Sequence, residues 1–457
     1  MDFKPKKQKV EVYDEKRKSR NYSIKDGFFH SIMVGFGETF ISPFAIFLKA
    51  SASQLALLSS LPLLAGSLSQ LFTPKALEIF KSRKKLVAVS VLLQALIWIP
   101  IMYAFYLGGF AVPYLIFFAV MYWVLGMFLN PAWNSWMGDI VNPEVSGRYF
   151  GFRNRVVGIS ALLSLLVGGF VLNSFQDASK VSFTGFAVIF SIALVARLIS
   201  FFYILRKHEP KFVVYEGAKF TFVEFVKQMH FRNYGLFVIY LSLMNFSVYI
   251  AAPFFSAYML NGLRFSYLTF TVVTGAAMFG KIVFMPFWGK LIDKYGSKKI
   301  LSLCGYLMPF SPLLWVLSPD VTHLIIFQLY SGLTWSGFEL AASSFIFDST
   351  TAPKRARCIA YYNVVNGVMI LIGTLVGAFL IKHPIYFSSF LFVFFASGIL
   401  RLATSIFMIP KIKEVRTVSD ISYSHLLFKV VSVVPTETFS MFASFWNNNK
   451  PKPFRKF

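Results

Sequence analysis

Apolar runs of roughly twenty residues recur along the chain, divided by short polar breaks. Each is long enough to cross about 30 Å of hydrocarbon as a helix. The pattern predicts spans near 27–48, 54–73, 86–107, 113–137, 152–173 and 184–206. A polar segment follows at 207–233, then spans near 234–257, 265–287, 300–317, 321–347, 360–382 and 387–409. Twelve spans return the chain to the side on which it began. Within 207–233, Phe220, Val223, Phe225, Val226 and Met229 form an amphipathic stretch, suited either to the membrane surface or to a solvated linker.

The polar breaks repeat. Asp139 is followed by Arg148 nine residues on and by Asn154 six further; Asp348, Arg357 and Asn363 recur at the same spacings. Pro143 and Pro353 fall in the two turns. Other landmarks keep the same order in both halves: Pro43-Phe44 with Pro253-Phe254, Lys84-Lys85 with Lys298-Lys299, and Arg197-Leu198 with Arg401-Leu402. Self-similarity on this scale predicts two homologous membrane halves. The expected fold is an all-α polytopic membrane protein, with twelve transmembrane helices arranged as two pseudo-symmetric six-helix bundles. Its expected divisions are a basic tail at 1–26, bundles at 27–206 and 234–409, a linker at 207–233 and a tail at 410–457.

Composition agrees with this class. Of 457 residues, 56% are hydrophobic and only 14% charged, with a mean hydropathy of +0.62; a soluble domain carries nearer a quarter charged residues. The net charge of +25 is distributed as orientation demands, not as a nucleic-acid face. Lys and Arg crowd into the two tails and alternate loops, while the opposite loops hold only Lys49, Lys180, Arg264 and Lys382. Both termini are therefore expected in the cytoplasm, in a multi-pass protein of the plasma membrane. Residues 1–25 show no cleavable signal. The tail 410–457 reads either as disordered or as resting on anionic headgroups through Lys450, Lys452, Arg455 and Lys456. Cys304 and Cys358 suggest neither a disulfide framework nor a zinc cluster, and no metal site or cofactor is expected. No HExxH, GxSxG or Walker sequence is present, so no enzyme activity is expected.

Gly289, Leu291, Asp293, Gly296, Lys298 and Lys299 form a loop between the eighth and ninth spans. Together with twelve spans and the repeated hairpin, this loop resembles the signature of the major facilitator superfamily, over essentially residues 27–409. The resemblance implies that spans one, four, seven and ten line a central cavity, that spans three, six, nine and twelve support it, and that the loop helps latch the cytoplasmic side. The first-half loop departs from the pattern, with Lys75 and Ser82 in place of glycines and Ile79 in place of the acid. In the second-half loop, Gly289 would let a neighbouring helix approach and Gly296 would permit a turn with positive φ. Asp293 suits the N-terminus of a facing helix or an Arg at the interface. Asp139 with Arg148, and Asp348 with Arg357, are natural ion pairs across the hairpins; they suit either a gate that rearranges or plain stabilisation of the fold.

Two acids fall inside spans, Glu38 and Glu339. A charge at mid-bilayer costs about 2.5–3.5 kcal/mol on insertion scales, so such groups face a cavity or a partner. Glu38 lies roughly 16 Å along its helix from Gly27 at about 1.5 Å per residue, with Ser31 and Ser42 on the same ideal helical face. Glu339 shares a face with Trp335 and Ser343; its repeat-mate Asn130 shares one with Trp123 and Asn134. Lys281 is positioned to pair with Glu339, whereas Arg197 and Arg401 lie on supporting spans and read as structural. Glu38, Trp123, Asn130, Asn134, Lys281, Trp335 and Glu339 are the candidate substrate- or proton-binding residues, and Asp139, Arg148, Asp348, Arg357 and the loop residues the candidate gate.

The expected function is a monomeric secondary transporter that moves a small organic solute by alternating access, with proton coupling as an elaboration. An uncoupled facilitator, and a sensor or lipid-handling protein on the same fold, are the alternatives. The expected partners are a small-molecule substrate, protons and the lipid bilayer, and no nucleic acid.

Overall fold

The computed structural model describes residues 4–177, 180–181, 183–210, 221–384 and 388–430. Its helices in chain order begin with α1 (Lys4–Phe36), α2 (Ala52–Gln70), α3 (Arg83–Leu96), α4 (Ala111–Phe128), α5 (Pro143–Ser174) and α6 (Phe183–Leu205). The second half holds α7 (Asn233–Ala251), α8 (Tyr267–Tyr295), α9 (Ser297–Leu307), α10 (Val321–Ser349), α11 (Ala352–Lys382) and α12 (Ser389–Met408). Several spans continue past a break: α1 into Ile41–Phe47, α3 into Trp98–Tyr103, α4 into Asn130–Ile140, α7 into Phe254–Ala257 and α9 into Phe310–Leu317.

Nine helical stretches among the described residues are long and apolar enough to cross a membrane. One of them, Arg83–Ile140, spans 58 residues and folds back at Gly108, where φ is 54°, so it crosses twice. The remaining two of the twelve spans contain α1 and α10, whose polar residues lower their hydropathy. Those are the spans that carry Glu38 and Glu339. The helix starts are held by their own side chains: Ser51 and Gln54 form a capping box at α2, and Ser82, Ser266, Asp320 and Ser388 cap α3, α8, α10 and α12. A two-residue ladder, Gln176–Asp177 against Lys180–Val181, turns the chain between α5 and α6.

The packing repeats as the sequence does. Helix α1 lies against α5 and α6 as α7 lies against α11 and α12, and α2 against α4 as α8 against α10. Across the pseudo-twofold, α2 meets α11 and α5 meets α8. Small residues let these last pairs approach closely: Gly169 faces Thr271, Gly275 faces Leu162, and Gly367 faces Ser67 and Leu64.

The apolar cores of the two halves merge at one end of the molecule, whereas toward the other end the halves meet at the helix seams, where Asn363 Nδ2 donates to Gln70 Oε1 at 2.9 Å. At the end away from the termini, the first half's core takes in Ala257 with Leu260, Tyr267 and Phe390 of the second, and Phe186 stacks edge-on against Tyr267 at 5.7 Å. Ala56 in turn enters the second half's core. At the termini end each half has its own core, one around Trp136 and Ile140 and the other around Trp288 and Phe345, and neither contains a residue of the other half.

Helix Phe222–Gln228 resolves the amphipathic stretch of the linker. Phe225 and Met229 turn inward to the second half's core, while Val223 and Val226 remain exposed; Phe220 lies outside the described residues. The chain after α12 packs down as well. Ile412, Leu426 and Val430 are buried in the same core, so this part of the tail is neither disordered nor free to lie on headgroups. Lys450, Lys452, Arg455 and Lys456 lie outside the described residues.

Gly169→Ala tests the close approach of α5 and α8. A methyl group there meets Thr271 and overpacks the seam, so purified protein should lose about 1–3 kcal/mol in thermal or denaturant unfolding. An unchanged midpoint would show that the seam is loose.

Candidate functional site

The chain breaks where it must bring a carboxylate to mid-membrane. Helix α1 ends at Phe36, and Glu38–Phe40 forms a single 3-10 turn before helix resumes at Ile41. Gly37 lies so close against Trp98 and Ala193 that no side chain would fit. Thr39 Oγ1 donates to the Val34 carbonyl at 2.9 Å, one of those the break would otherwise leave open. Tyr122 Oη, on α4, donates to Glu38 Oε2 at 3.0 Å.

Glu38 lines two adjoining chambers, and a third lies beyond the second. One of about 380 Å³ lies in the first half, lined by Asp26, His30, Trp123, Asn130 and Arg197 among others. A bridging chamber of about 290 Å³ is shared by Glu38, Ser42 and Trp123 with Tyr249 and Pro253 of the second half. The largest, about 770 Å³, is lined by Asn245, Tyr249, Lys281, Trp335, Glu339 and Tyr362. In it Lys281 Nζ contacts both carboxylate oxygens of Glu339, at 2.8 and 2.6 Å, and the two side chains keep 36% and 44% of their exposure. The largest volume lies within the range of small-molecule sites, with aromatic walls and few charges.

The structure thus brings Glu38, Trp123, Asn130, Lys281, Trp335 and Glu339 to the chambers. Asn134 is not among the residues that line them. Helix α4 ends at Phe128 and a new helix starts at Asn130 with Pro131 in its first turn, so the break separates Trp123 from Asn130 and Asn134, which lie one turn apart in one helix. Ser31 likewise leaves the Glu38 face, because the helix breaks between them; it is buried and donates to the Phe28 carbonyl.

Beneath Glu38 lies a buried polar network that hydropathy did not reveal. Arg197 donates to Gln94 Oε1 at 2.9 and 2.5 Å and to Ser200 at 3.2 Å, and its Nη1 lies 2.9 Å from His30 Nδ1. Ser200 donates to Asp26 at 2.6 Å, and Lys207 donates to the other carboxylate oxygen at 2.8 Å. Arg197 therefore stands in the chamber wall and is not only a brace between helices. Arg401 is structural: it donates to Ser397 and to the Met308 carbonyl, away from the chambers. The sequence signal for the missed residues was a spacing across span ends, with Asp26 and Lys207 just outside the apolar runs.

At the termini end, the arrangement expected in the first half changes. Asp139 is taken by Arg83 at 2.6 Å, while Arg148 is exposed on α5. Arg83 opens α3 beside Asp139, is 2% exposed, and also donates to Ser135 and to the Pro210 carbonyl. Asp348 accepts from Ser297 at 3.3 Å and faces Arg416, from the chain after α12, at 3.9 Å; Arg357 lies in the second turn of α11. Gly296 has a φ of 87°, as its turn requires. A methyl group added at Gly289 would meet only Leu340, at an ordinary 3.8 Å, so no close helix approach requires the glycine there. Asp293 is exposed, with no ion-pair partner among the described residues.

Each half caps its third span with an acid from beyond its sixth. Glu209 accepts from Ser82 Oγ at 2.6 Å and from the backbone N–H groups of Arg83 and Lys84 at 2.6 and 3.1 Å. Glu414 accepts from the Lys298 N–H at 2.9 Å, and Lys299 pairs with Asp420 at 2.6 Å. A carboxylate at a helix N-terminus satisfies free donors and meets the positive end of the dipole. In the first half, where Ser82 stands in place of a glycine, the left-handed turn residue is Lys81, with φ at 50°.

Two six-helix halves about a pseudo-twofold, enclosing a polar chamber, define a two-bundle polytopic membrane protein. The model of the Major Facilitator Superfamily matches residues 27–248 and again 236–449, and the chain belongs to that family. Among curated relatives, it is 22% identical over 147 residues to multidrug resistance protein 2 of Bacillus subtilis, covering 31% of this chain and 35% of that protein. It is 36% identical over 107 residues to the class H tetracycline resistance protein of Pasteurella multocida, covering 22% and 25%. The chain thus spans between a quarter and about a third of these relatives' length. Among solved structures, the D-xylose-proton symporter aligns with a TM-score of 0.68 at 13% identity, covering 88% of this chain and 99% of that one. The nucleoside transporter NupG aligns with 0.61 at 12%, covering 87% and 99%. At these identities the two structures show a shared fold.

Lys207→Met leaves the Asp26 carboxylate buried without its cation. It should cost about 3–5 kcal/mol in unfolding of the purified protein, and the double variant with Asp26→Asn should recover part of that loss. A loss below about 1 kcal/mol would show that the pair carries little.

The Lys299 ammonium holds the Asp420 carboxyl below the usual carboxylate range. A lowered folded pKa favours docking of the 412–430 segment above the ordinary Asp range and is lost as pH falls through the folded value. Proteolysis or hydrogen exchange of that segment should therefore accelerate on acidification, and Asp420→Asn should show that faster rate already at neutral pH. Equal protection of the variant at pH 7 would remove the pair from docking.

Proposed function

We propose that this protein is a secondary transporter that carries a small organic solute by alternating access. The observation that supports the reading best is the asymmetry of the cores: joined at one end, separate at the other, with the charged chamber between them. A rocking motion about the α2–α11 and α5–α8 seams would part Phe186 from Tyr267 and bring the two termini-side cores together, exposing the chamber to the other face. The distribution of Lys and Arg supports a cytoplasmic position for the termini, so the conformation described is open inward. A monomer in the plasma membrane suffices, since both halves of the chamber come from one chain.

Solute contact is assigned to Lys281, Trp335 and Glu339, with Trp123 and Asn130 on the opposite wall. Relatives named for multidrug and tetracycline resistance, and neighbours named for xylose and nucleosides, support an organic cargo without choosing its class. Proton coupling is assigned to Glu38, a carboxyl held by a phenol between two chambers, as one structural neighbour is named a proton symporter. A thermal-shift screen identifies the cargo, because a ligand at about a hundred times its dissociation constant adds about 2.7 kcal/mol. With that cargo in reconstituted vesicles, Glu38→Gln should abolish accumulation driven by a pH gradient while sparing exchange. Undiminished uphill accumulation in Glu38→Gln would take coupling away from Glu38, and absence of any flux in the wild type would defeat the transport reading.

A further inference from the structure

A second cavity lies at the termini end of the second half, apart from the central chambers. It measures about 410 Å³ and sits between helix Phe222–Gln228, the start of α7 and the junction of α10 with α11. Arg232 and Lys354 both line it and are both exposed, and neither has an ion-pair partner among the described residues. Two hydroxyl oxygens in the lining, Tyr234 Oη and Ser349 Oγ, are buried and have no hydrogen-bond partner. Buried polar atoms left unpaired cost free energy, so an arrangement that retains two of them beside two free cations is complete only with an acceptor-rich guest. Thr351 leaves the start of the 31-residue α11 without a side-chain cap, which adds the positive end of a helix dipole to the same wall. The acid in the lining, Glu224, is already committed: its carboxylate accepts from the Thr221 N–H at 2.9 Å in a capping box.

We infer that this cavity binds a phosphate-bearing anion. Phosphate offers enough acceptor oxygens for a guanidinium, an ammonium and two hydroxyls together. The guest's source is either the headgroup of an anionic lipid or a free phosphorylated solute. Phe225 and Met229 supply an apolar floor, and Val223 and Val226 on the same short helix are exposed, so both sources have access.

The test measures thermal unfolding of the full-length protein in neutral detergent, titrated separately with inorganic phosphate and with short-chain phosphatidylglycerol, using zwitterionic phosphatidylcholine as the reference lipid. A saturable rise in midpoint is expected with one or both anions. The double variant Arg232→Gln/Lys354→Gln should weaken it tenfold or more, while Lys75→Gln/Lys81→Gln, on the other half, should leave it unchanged. A response to phosphatidylglycerol alone assigns the lipid source; a response to inorganic phosphate establishes a free anion as a ligand. Because Tyr234 Oη has no protein partner, Tyr234→Phe should keep the unliganded midpoint and lower the apparent affinity. The inference is overturned if neither anion shifts the midpoint, or if both double variants lose the response equally.

Discussion

A charged group at membrane depth is tolerated only when a partner or a water-filled space receives it, and this constraint shapes the protein's interior. Glu38 is met by Tyr122 and two chambers; Glu339 is met by Lys281; Arg197 is met by Gln94, Ser200 and His30. Each arrangement draws side chains from different helices, so packing the helices and satisfying the charges are one problem. The break in the first span follows from it. A continuous α-helix would fix the Glu38 direction by periodicity alone, whereas the 3-10 turn after Gly37 places the carboxyl beside the Tyr122 hydroxyl.

The termini-side face obeys a related rule. A helix N-terminus presents free N–H groups, and in both halves a glutamate from the chain beyond the sixth span accepts from them. The first half does this with Glu209 and the second with Glu414, whose segment continues as a strap held by Asp420 and the buried Leu426. The signature loop is therefore part of a larger assembly that includes the chain's end. Its conformation and that of the strap are coupled through Gly296, against which the Glu414 carboxylate lies.

Much of this was legible in the residues. Apolar run length gave the twelve spans, and the repeated spacings of Asp139–Arg148 and Asp348–Arg357 marked the two halves even though Asp139 itself pairs elsewhere. The Lys281–Glu339 contact followed from two deep charges on spans of one half. Less was legible where a helix is interrupted: the faces drawn through Ser31 and Glu38, and through Trp123 and Asn130, presumed unbroken periodicity that ends at Gly37 and after Phe128. Gly289 shows the opposite error, a motif glycine with room around it.

Composition, run length and internal repetition by themselves determined a twelve-span protein of two similar halves, because hydrocarbon thickness and backbone satisfaction leave a helical chain little alternative. Which polar groups meet was decided only by tertiary structure. Arg83 reaches Asp139, Lys207 reaches Asp26 across 181 positions, and Glu414 reaches Lys298 across 116, contacts that depend on crossing angles and helix breaks rather than on local spacing. Where the apolar cores of the two halves merge was decided the same way, since that depends on how the packed halves meet.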